Sequence, residues 1–461
     1  MTHRTSLVGC ILVLGALGAL GACGRVNDAL RHAARPESPH ERYARSLRDA
    51  GLDSTALGRD WLAAAERSLG GAAPVTLPFR EAGYFAESEA RAVAYRVSVR
   101  RGQRLVAAAE TQGVPPARLF VDVFEPPPAS DSAAAPSRVA SAEGDSDRVV
   151  RVAFEARRDG DYLVRVQPEL LRSVRYVLTV EATASLAFPL PGRDSRAVQS
   201  YFGASRDAGR REHKGIDLFA PRGTPVVAAA GGVANTGENA LGGNVVWVWD
   251  PEHDRSLYYA HLDSQAVQTG QVVRTGDTLG WVGNTGNART TAPHLHFGIY
   301  ARGEGAVDPY PFVHRPREAP PTIAADTASL GSWRRVDGRR PVALYAAPVT
   351  AAAADRGANR AALRELEPRT VVRVDGAVGR YYRVRLPDGT VGYVTASGTS
   401  SVDTPVERTR PARPAVVRDH PSAVAATVDS VGAGAPLAVL GRFDDYLFVR
   451  TPGGRTGWIA E

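Results

Sequence analysis

The chain is 461 residues long, with 44% hydrophobic and 23% charged residues, a balance that buries more than one core and excludes a disordered or low-complexity protein. Its formal charge of +7 comes from 56 basic against 49 acidic residues; the arginines are scattered rather than gathered into a stripe, which argues against nucleic acid as a partner and leaves an anionic wall or membrane surface compatible. Cys10 and Cys23 are too few for a disulfide framework.

Residues 1–22 read as an export signal: His3 and Arg4 precede an apolar run from Leu7 to Ala22 that is too short and too rich in Gly and Ala for a stable membrane span. Leu20-Gly21-Ala22-Cys23 resembles a bacterial lipobox. Cleavage before Cys23 would leave an acylated N-terminal cysteine that anchors the chain to a membrane. Gly24 resembles outer-membrane sorting, so the expected location is the cell envelope, on the outer membrane facing the periplasm. Residues 23–73 are charged and Ala-rich and are expected to be a tether, with one short amphipathic helix at Trp61-Leu62-Ala63-Ala64-Ala65.

Residues 74–184 change to a period of two, in the runs Ala94 to Val99, Leu119 to Phe124, Tyr162 to Val166 and Tyr176 to Val180. Such alternation predicts half-buried antiparallel strands and hence a β-sandwich. Arg101-Gly102-Gln103 and Asp159-Gly160-Asp161-Tyr162 resemble the pre-peptidase domains found beside secreted bacterial peptidases. The Pro, Ser and Ala-rich stretch from Pro126 to Asp147 is expected to be a mobile loop. No catalytic constellation falls in this region, so it reads as a spacer or a substrate-side binding module.

Residues 185–315 hold histidines and a carboxylate that can converge. In Pro293-His294-Leu295-His296-Phe297 the two imidazoles project from one face of a strand, roughly 7 Å apart at Cα, while Leu295 and Phe297 point into the core. One ring can then bind a metal while the other reaches a water. His213-Lys214-Gly215-Ile216-Asp217 needs a bend, because four extended residues span roughly 13 Å, and Gly215 can supply it. Two imidazoles and one carboxylate leave the fourth tetrahedral position of zinc open, as in catalytic sites. With no His-Glu-x-x-His helix in the chain, a histidine must handle the proton, and His261 and His294 are the candidates. The alternation leaves Tyr259 either facing the groove or in the core; Asn244 serves the turn at Gly242-Gly243; Trp247 and Trp249 read as sheet packing, and His253 and His314 as surface residues.

The ordered set resembles the lysostaphin/LytM-type zinc metalloendopeptidases that cut peptidoglycan. It is carried by His213 to Asp217, Gly223-Thr224-Pro225-Val226, Gly242-Gly243-Asn244-Val245-Val246, Tyr259-Ala260-His261-Leu262, Gly283-Asn284-Thr285-Gly286 and Pro293 to Phe297. The resemblance implies His213, Asp217 and His296 as ligands of one Zn²⁺ per chain, and His261 and His294 as the pair that orients water and stabilises the oxyanion. It also implies peptidoglycan as substrate. The alternative is a catalytically inactive LytM-like envelope lipoprotein that activates a separate wall amidase; silent members of such families lack ligands, and this chain keeps all five polar positions.

Residues 316–340 are rich in Pro, Ala and Arg and read as a linker. Beyond them Tyr381 to Val394 recurs as Asp445 to Ile459, each copy a strand, a tight Gly turn and a strand ending in Gly-aromatic-aliphatic. The copies resemble two bacterial SH3-like modules, 341–398 and 414–461, joined by a linker at 399–413. The expected fold is mainly β and multidomain: a β-sandwich, an antiparallel-β LytM-type peptidase domain and two small SH3-like barrels.

Overall fold

The computed structural model describes residues 36–112, 117–127, 134–144, 149–338, 340–348 and 362–461. The expected export signal and Cys23 lie outside the described residues. The architecture is mainly β, in antiparallel sheets.

The region expected to be a tether folds as two docked helices rather than one short one. Pro39–Asp49 starts at a Ser38 capping box with Glu41, and Ala56–Gly70 starts at Thr55. Ala44, Leu47 and Trp61 pack on Phe120 of the sandwich. Trp61 Nε1–H donates to Pro168 O at 2.8 Å, and His40 bonds Gln167 at 2.7 Å. The first helix is inconspicuous in the sequence because its buried side is only His40, Ala44 and Leu47.

Residues 74–184 form the expected sandwich. One sheet orders Ala73–Pro74, Val93–Val99, Gly160–Pro168, Leu119–Glu125 and Ser137–Gly144; the other includes Phe79–Phe85, Val174–Ala184, Gln103–Gln112 and Val149–Glu155. Inward residues such as Tyr95, Val97, Leu105, Val121, Val164 and Leu178 fill one core between them. Ser137–Gly144 lies inside the stretch expected to be a loop. Its Ser, Ala and Gly side chains give no apolar alternation, but its backbone pairs along Leu119–Glu125.

The second sheet does not end at the sandwich. Phe79–Phe85 pairs with Val371–Val378 of the first tail repeat, Ala82 opposite Ala377 and Gly83 opposite Gly376. Sandwich and repeat thus share one sheet, and the peptidase region is an excursion between its two halves. The expected linkers are also folded: Ala325, Leu330 and Val336 enter a core with Val371, Val372 and Val374 of the tail, Trp333–Val336 pairs with Thr399–Ser401, and Glu407–Thr409 pairs with Leu437–Phe443.

The tail repeat is a structural repeat. Val371–Val378 and Tyr381–Arg385 shift register between Val374 and Gly376; Leu437–Phe443 and Tyr446–Arg450 shift at the equivalent Val439 and Gly441. At each bulge a glycine admits a neighbour. A Cβ on Gly376 would lie 2.9 Å from the Glu81 carboxylate, and one on Gly441 2.4 Å from Val371. Phe448 and Trp458 of the second copy pack into the same core as Val372, Val374 and Tyr382 of the first.

Residues 186–313 form a separate core around a sheet ordered Val198–Ser200, Ile216–Phe219, His294–Ala301, Arg255–Gln265, Gly243–Asp250, Gly232–Asn239 and Val272–Val273. It docks on the sandwich through Arg255, which pairs with Glu155 at 2.6 Å, and through Phe312, whose ring fills the space a Cβ on Gly102 would need.

Candidate metal centre

The site is built on one face of that sheet. Asp217 stands directly opposite His296, and Phe219 opposite His294, in an antiparallel pair; on the other side Ala260 stands opposite His296. Leu295 and Phe297 are fully buried on the reverse face, as the alternation predicts. The period of two therefore places His294, His296 and Asp217 together with no further device.

His213 arrives from the loop that precedes the strand. Its N–H donates to Ala204 O and its carbonyl accepts from Gly203 N–H, both at 2.9 Å. Gly215 works here by close approach: a Cβ would sit 2.7 Å from His296 Cε1 and 2.5 Å from Phe297 O. The His213 ring is turned by its Nδ1–H, which donates to Tyr201 O at 2.9 Å, leaving Nε2 as a lone pair aimed at the site.

Three donor atoms meet there. His213 Nε2 lies 3.0 Å from Asp217 Oδ1 and 2.9 Å from His296 Nδ1, and His296 Nδ1 lies 2.9 Å from Asp217 Oδ1. A tetrahedral ion with bonds of about 2.0–2.1 Å needs donors roughly 3.3 Å apart, close to this spacing. The donor chemistry agrees. With the His213 hydrogen committed to Tyr201, one hydrogen on His296 can satisfy only one of the three contacts, whereas a divalent cation satisfies all of them. The backbone carbonyl behind His213 is the outer support that metal-ligating imidazoles usually have. Among the described residues, His213, Asp217 and His296 are the group of His, Cys, Asp or Glu side chains placed to hold a metal.

Burial works against the charge on Asp217, but the His213 and His296 imidazoles beside it outweigh burial and hold the carboxyl well below the usual carboxylate range. Burial lowers His296 despite the adjacent carboxylate. A neutral imidazole and an ionised carboxylate are the forms that bind metal.

His261 and His294 complete the set. Their rings are 5.0 Å apart, His261 is 5.9 Å from His296, and His294 Nε2 is 4.0 Å from Asp217 Oδ1. Each commits Nδ1 to a carbonyl at 2.9 Å, His261 to Thr285 O and His294 to Ala292 O, so in both rings the lone pair is on Nε2. Burial, then the neighbouring His294 and His296, push His261 down to about 4; it is neutral at neutral pH.

His261 has a left-handed backbone, φ 62°, a conformation costing about 1–3 kcal/mol for a residue other than Gly. The cause is a change of partner: up to Ala260 the strand pairs with His294–Ala301, and from Leu262 it pairs with Thr278–Val282. The bulge is held by His261 N–H to Gly242 O at 2.7 Å. Thr285 Oγ1 donates to Leu262 O at 2.8 Å and accepts from Asn244 N–H at 3.0 Å, while Asn244 Nδ2 reaches Leu262 O and Asp263 O. Gly243 and Gly286, both at positive φ, lie so close that a Cβ on Gly286 would be 2.3 Å from Gly243 N. The Gly-rich motifs therefore aim His261, and Asn244 is part of that support rather than a turn residue alone.

Tyr259 is fully buried, its hydroxyl oxygen accepting from Ala229 N–H at 2.8 Å, which settles it in the core. Trp247 packs on Tyr258 and Tyr300. His253 is exposed beside Asp250, as expected of a surface residue, and His314 bonds Ser195. Arg206, which no motif reading singles out, donates to Asp217 Oδ2 at 2.8 Å.

Residues 211–309 match the profile of Peptidase family M23. The chain is similar to the L-Ala--D-Glu endopeptidase of Bacillus subtilis, 39% identical over 139 residues, which is 28% of this chain and 42% of that protein. It is similar to the peptidoglycan DD-endopeptidase ShyC of Vibrio cholerae, 37% identical over 117 residues, 24% of this chain and 26% of the other. It is also similar to lysostaphin of Staphylococcus staphylolyticus, 37% identical over 106 residues, 22% of each chain. Each alignment spans less than half of the relative's own length. The match contains all five residues of the site, and the chain carries a peptidase family M23 domain.

Proposed function

We propose that the protein is a zinc-dependent endopeptidase that hydrolyses peptide bonds in the cross-links or stem peptides of bacterial peptidoglycan. The observation that carries the proposal is the meeting of His213 Nε2, Asp217 Oδ1 and His296 Nδ1 within 3.0 Å of one another, beside two histidines whose lone pairs are on Nε2. The names of two similar proteins, an L-Ala--D-Glu endopeptidase and a peptidoglycan DD-endopeptidase, support the substrate class.

When bound, zinc would supply Lewis acidity, bringing the pKa of water toward roughly 7 and polarising the scissile carbonyl. His213, Asp217 and His296 would hold the ion. His261 or His294 takes a proton from the attacking water at Nε2 and, as an imidazolium, returns it to the departing amine nitrogen. Their Nδ1 bonds to Thr285 and Ala292 fix the tautomer that makes Nε2 the acceptor. The proposal extends to an export signal, acylation at Cys23, an outer-membrane anchor facing the periplasm and SH3-like tail modules, on the sequence features given above.

The test is digestion of purified wall by the wild type and by His213→Ala, with zinc content measured on both. The expected result is one zinc per wild-type chain and released peptides, both lost in the variant and on chelation. A zinc-loaded wild type that releases no peptides would refute the hydrolase, and a metal-free one that releases none would favour the amidase-activator reading.

A further inference from the structure

Asp217 has two carboxylate oxygens, and the structure gives them different surroundings. Oδ1 faces His213 and His296 at 3.0 and 2.9 Å. Oδ2 accepts from Arg206 Nη2 at 2.8 Å. The same nitrogen reaches Ser200 Oγ, which in turn lies 3.3 Å from His213 Nδ1. Arg206 stands on a short hairpin, Ser205–Arg206 against Arg211–Glu212, outside the main sheet. One guanidinium thus ties this hairpin to one ligand directly and to a second through Ser200.

We infer that Arg206 is a positioning residue that keeps Asp217 a one-oxygen ligand. The inference rests on the zinc-site reading above. A carboxylate near a divalent ion can bind through one oxygen or both, and zinc readily accepts a fifth donor. A charge-assisted hydrogen bond on Oδ2 is roughly twice as strong as a neutral one. The carboxylate plane is set by it, with Oδ1 toward the two imidazoles and Oδ2 toward the hairpin. A metal held by three donor atoms keeps a position free for water and substrate. One held by four takes up water or substrate only as a fifth donor, in a more crowded shell.

Arginine suits the task better than lysine, since the two N–H bonds of Nη2 are fixed in the guanidinium plane and point at two acceptors in set directions, whereas an ammonium rotates freely. The role cannot be read from the positive charge alone, because a cation beside the site repels the metal. What Arg206 contributes is direction.

The test substitutes Co²⁺ for zinc in the full chain and reads its visible spectrum, with metal content measured on each sample. Four-coordinate Co²⁺ lacks an inversion centre and absorbs strongly, whereas higher coordination absorbs weakly. The wild type is expected to show the intense band. Arg206→Gln is expected to bind Co²⁺ at the same stoichiometry with the intensity largely lost, and Arg206→Lys to recover only part of it. Arg206→Gln with the wild-type spectrum would overturn the inference and leave the metal site intact; a wild type that takes up neither Co²⁺ nor Zn²⁺ would instead overturn the reading on which it rests.

Discussion

Replacing Arg383 by Met should loosen two regions that are almost 300 residues apart in the sequence. Arg383 is buried at 4% exposure and Glu81, from the sandwich, at 0%. The guanidinium donates to Glu81 through Nη2 at 2.9 Å and Nε at 3.2 Å, and to Asp375 O at 3.2 Å; Tyr95 and Tyr176 donate their hydroxyls to Oε1 at 2.5 and 3.3 Å. Burial disfavours the guanidinium charge, but Glu81 overcomes it and holds Arg383 well above the usual range. Removing one partner of such a pair costs about 3–5 kcal/mol. The two tyrosine hydroxyls remain on Glu81, so the lower end, about 3 kcal/mol, is expected. That energy corresponds to roughly two powers of ten in opening equilibrium. Amide hydrogen exchange followed by mass spectrometry should show it in Phe79–Phe85 and Val371–Val378 together, because these strands share one ladder. Exchange in His294–Ala301 should not change. If only the tail strand exchanges faster, or neither does, the single-sheet argument fails.

Two further outcomes test other parts of the account. Burial, followed by the charge of Arg165, depresses His40 to about 4 from a model-peptide value near 6.5; the unfolded chain therefore binds the proton more readily, and about 3 kcal/mol of stability, full above pH 6.5, is lost as the pH falls toward 4. Denaturant unfolding of wild type and His40→Gln across that window checks this, and equal pH slopes would refute it. Gly286→Ala places a Cβ 2.3 Å from Gly243 N at φ 69°, and should cost about 2–3 kcal/mol and most of the wall digestion. Zinc content should remain one per chain, since the ligands lie on other segments; loss of zinc would show that the Gly-rich loops support the ligands rather than His261.

The site was largely legible in the sequence because its geometry is periodic. His294 and His296 share a face by strand alternation, Leu295 and Phe297 confirm the phase, and Asp217 needs only to pair opposite His296. The supports were not legible for the opposite reason. Arg206, Ser200 and Thr285 act through hydrogen bonds across loops, and no spacing rule marks an arginine whose partner is 11 residues away. The residues of the shared sheet were equally silent. Ala82, Gly83, Gly376 and Ala377 meet because they are small enough for two edges to close, and small residues in a strand carry no signal of what they will touch. The first helix and the Ser137–Gly144 strand were hidden by composition that is charged in one case and Ala/Ser-rich in the other.

On the proposed wall-hydrolase reading, the topology changes how the tail can serve. Two binding modules on a flexible linker would raise local concentration by tethering, but this tail is not free to swing. Its first repeat continues the sandwich sheet, its second buries Phe448 and Trp458 against the first, and the stretch between peptidase and tail contributes Leu330 and Val336 to their common core. The peptidase, in turn, docks through Arg255 and Phe312. Arg255 lies six residues along its strand from His261, roughly 20 Å at strand rise, so docking holds the domain by the end away from the metal centre. A domain held at one end with its site at the other would present that site to a polymeric substrate in a fixed orientation. Any affinity the tail has for the wall would therefore select which strand of polymer enters the groove, and from which direction, rather than merely lengthen the encounter.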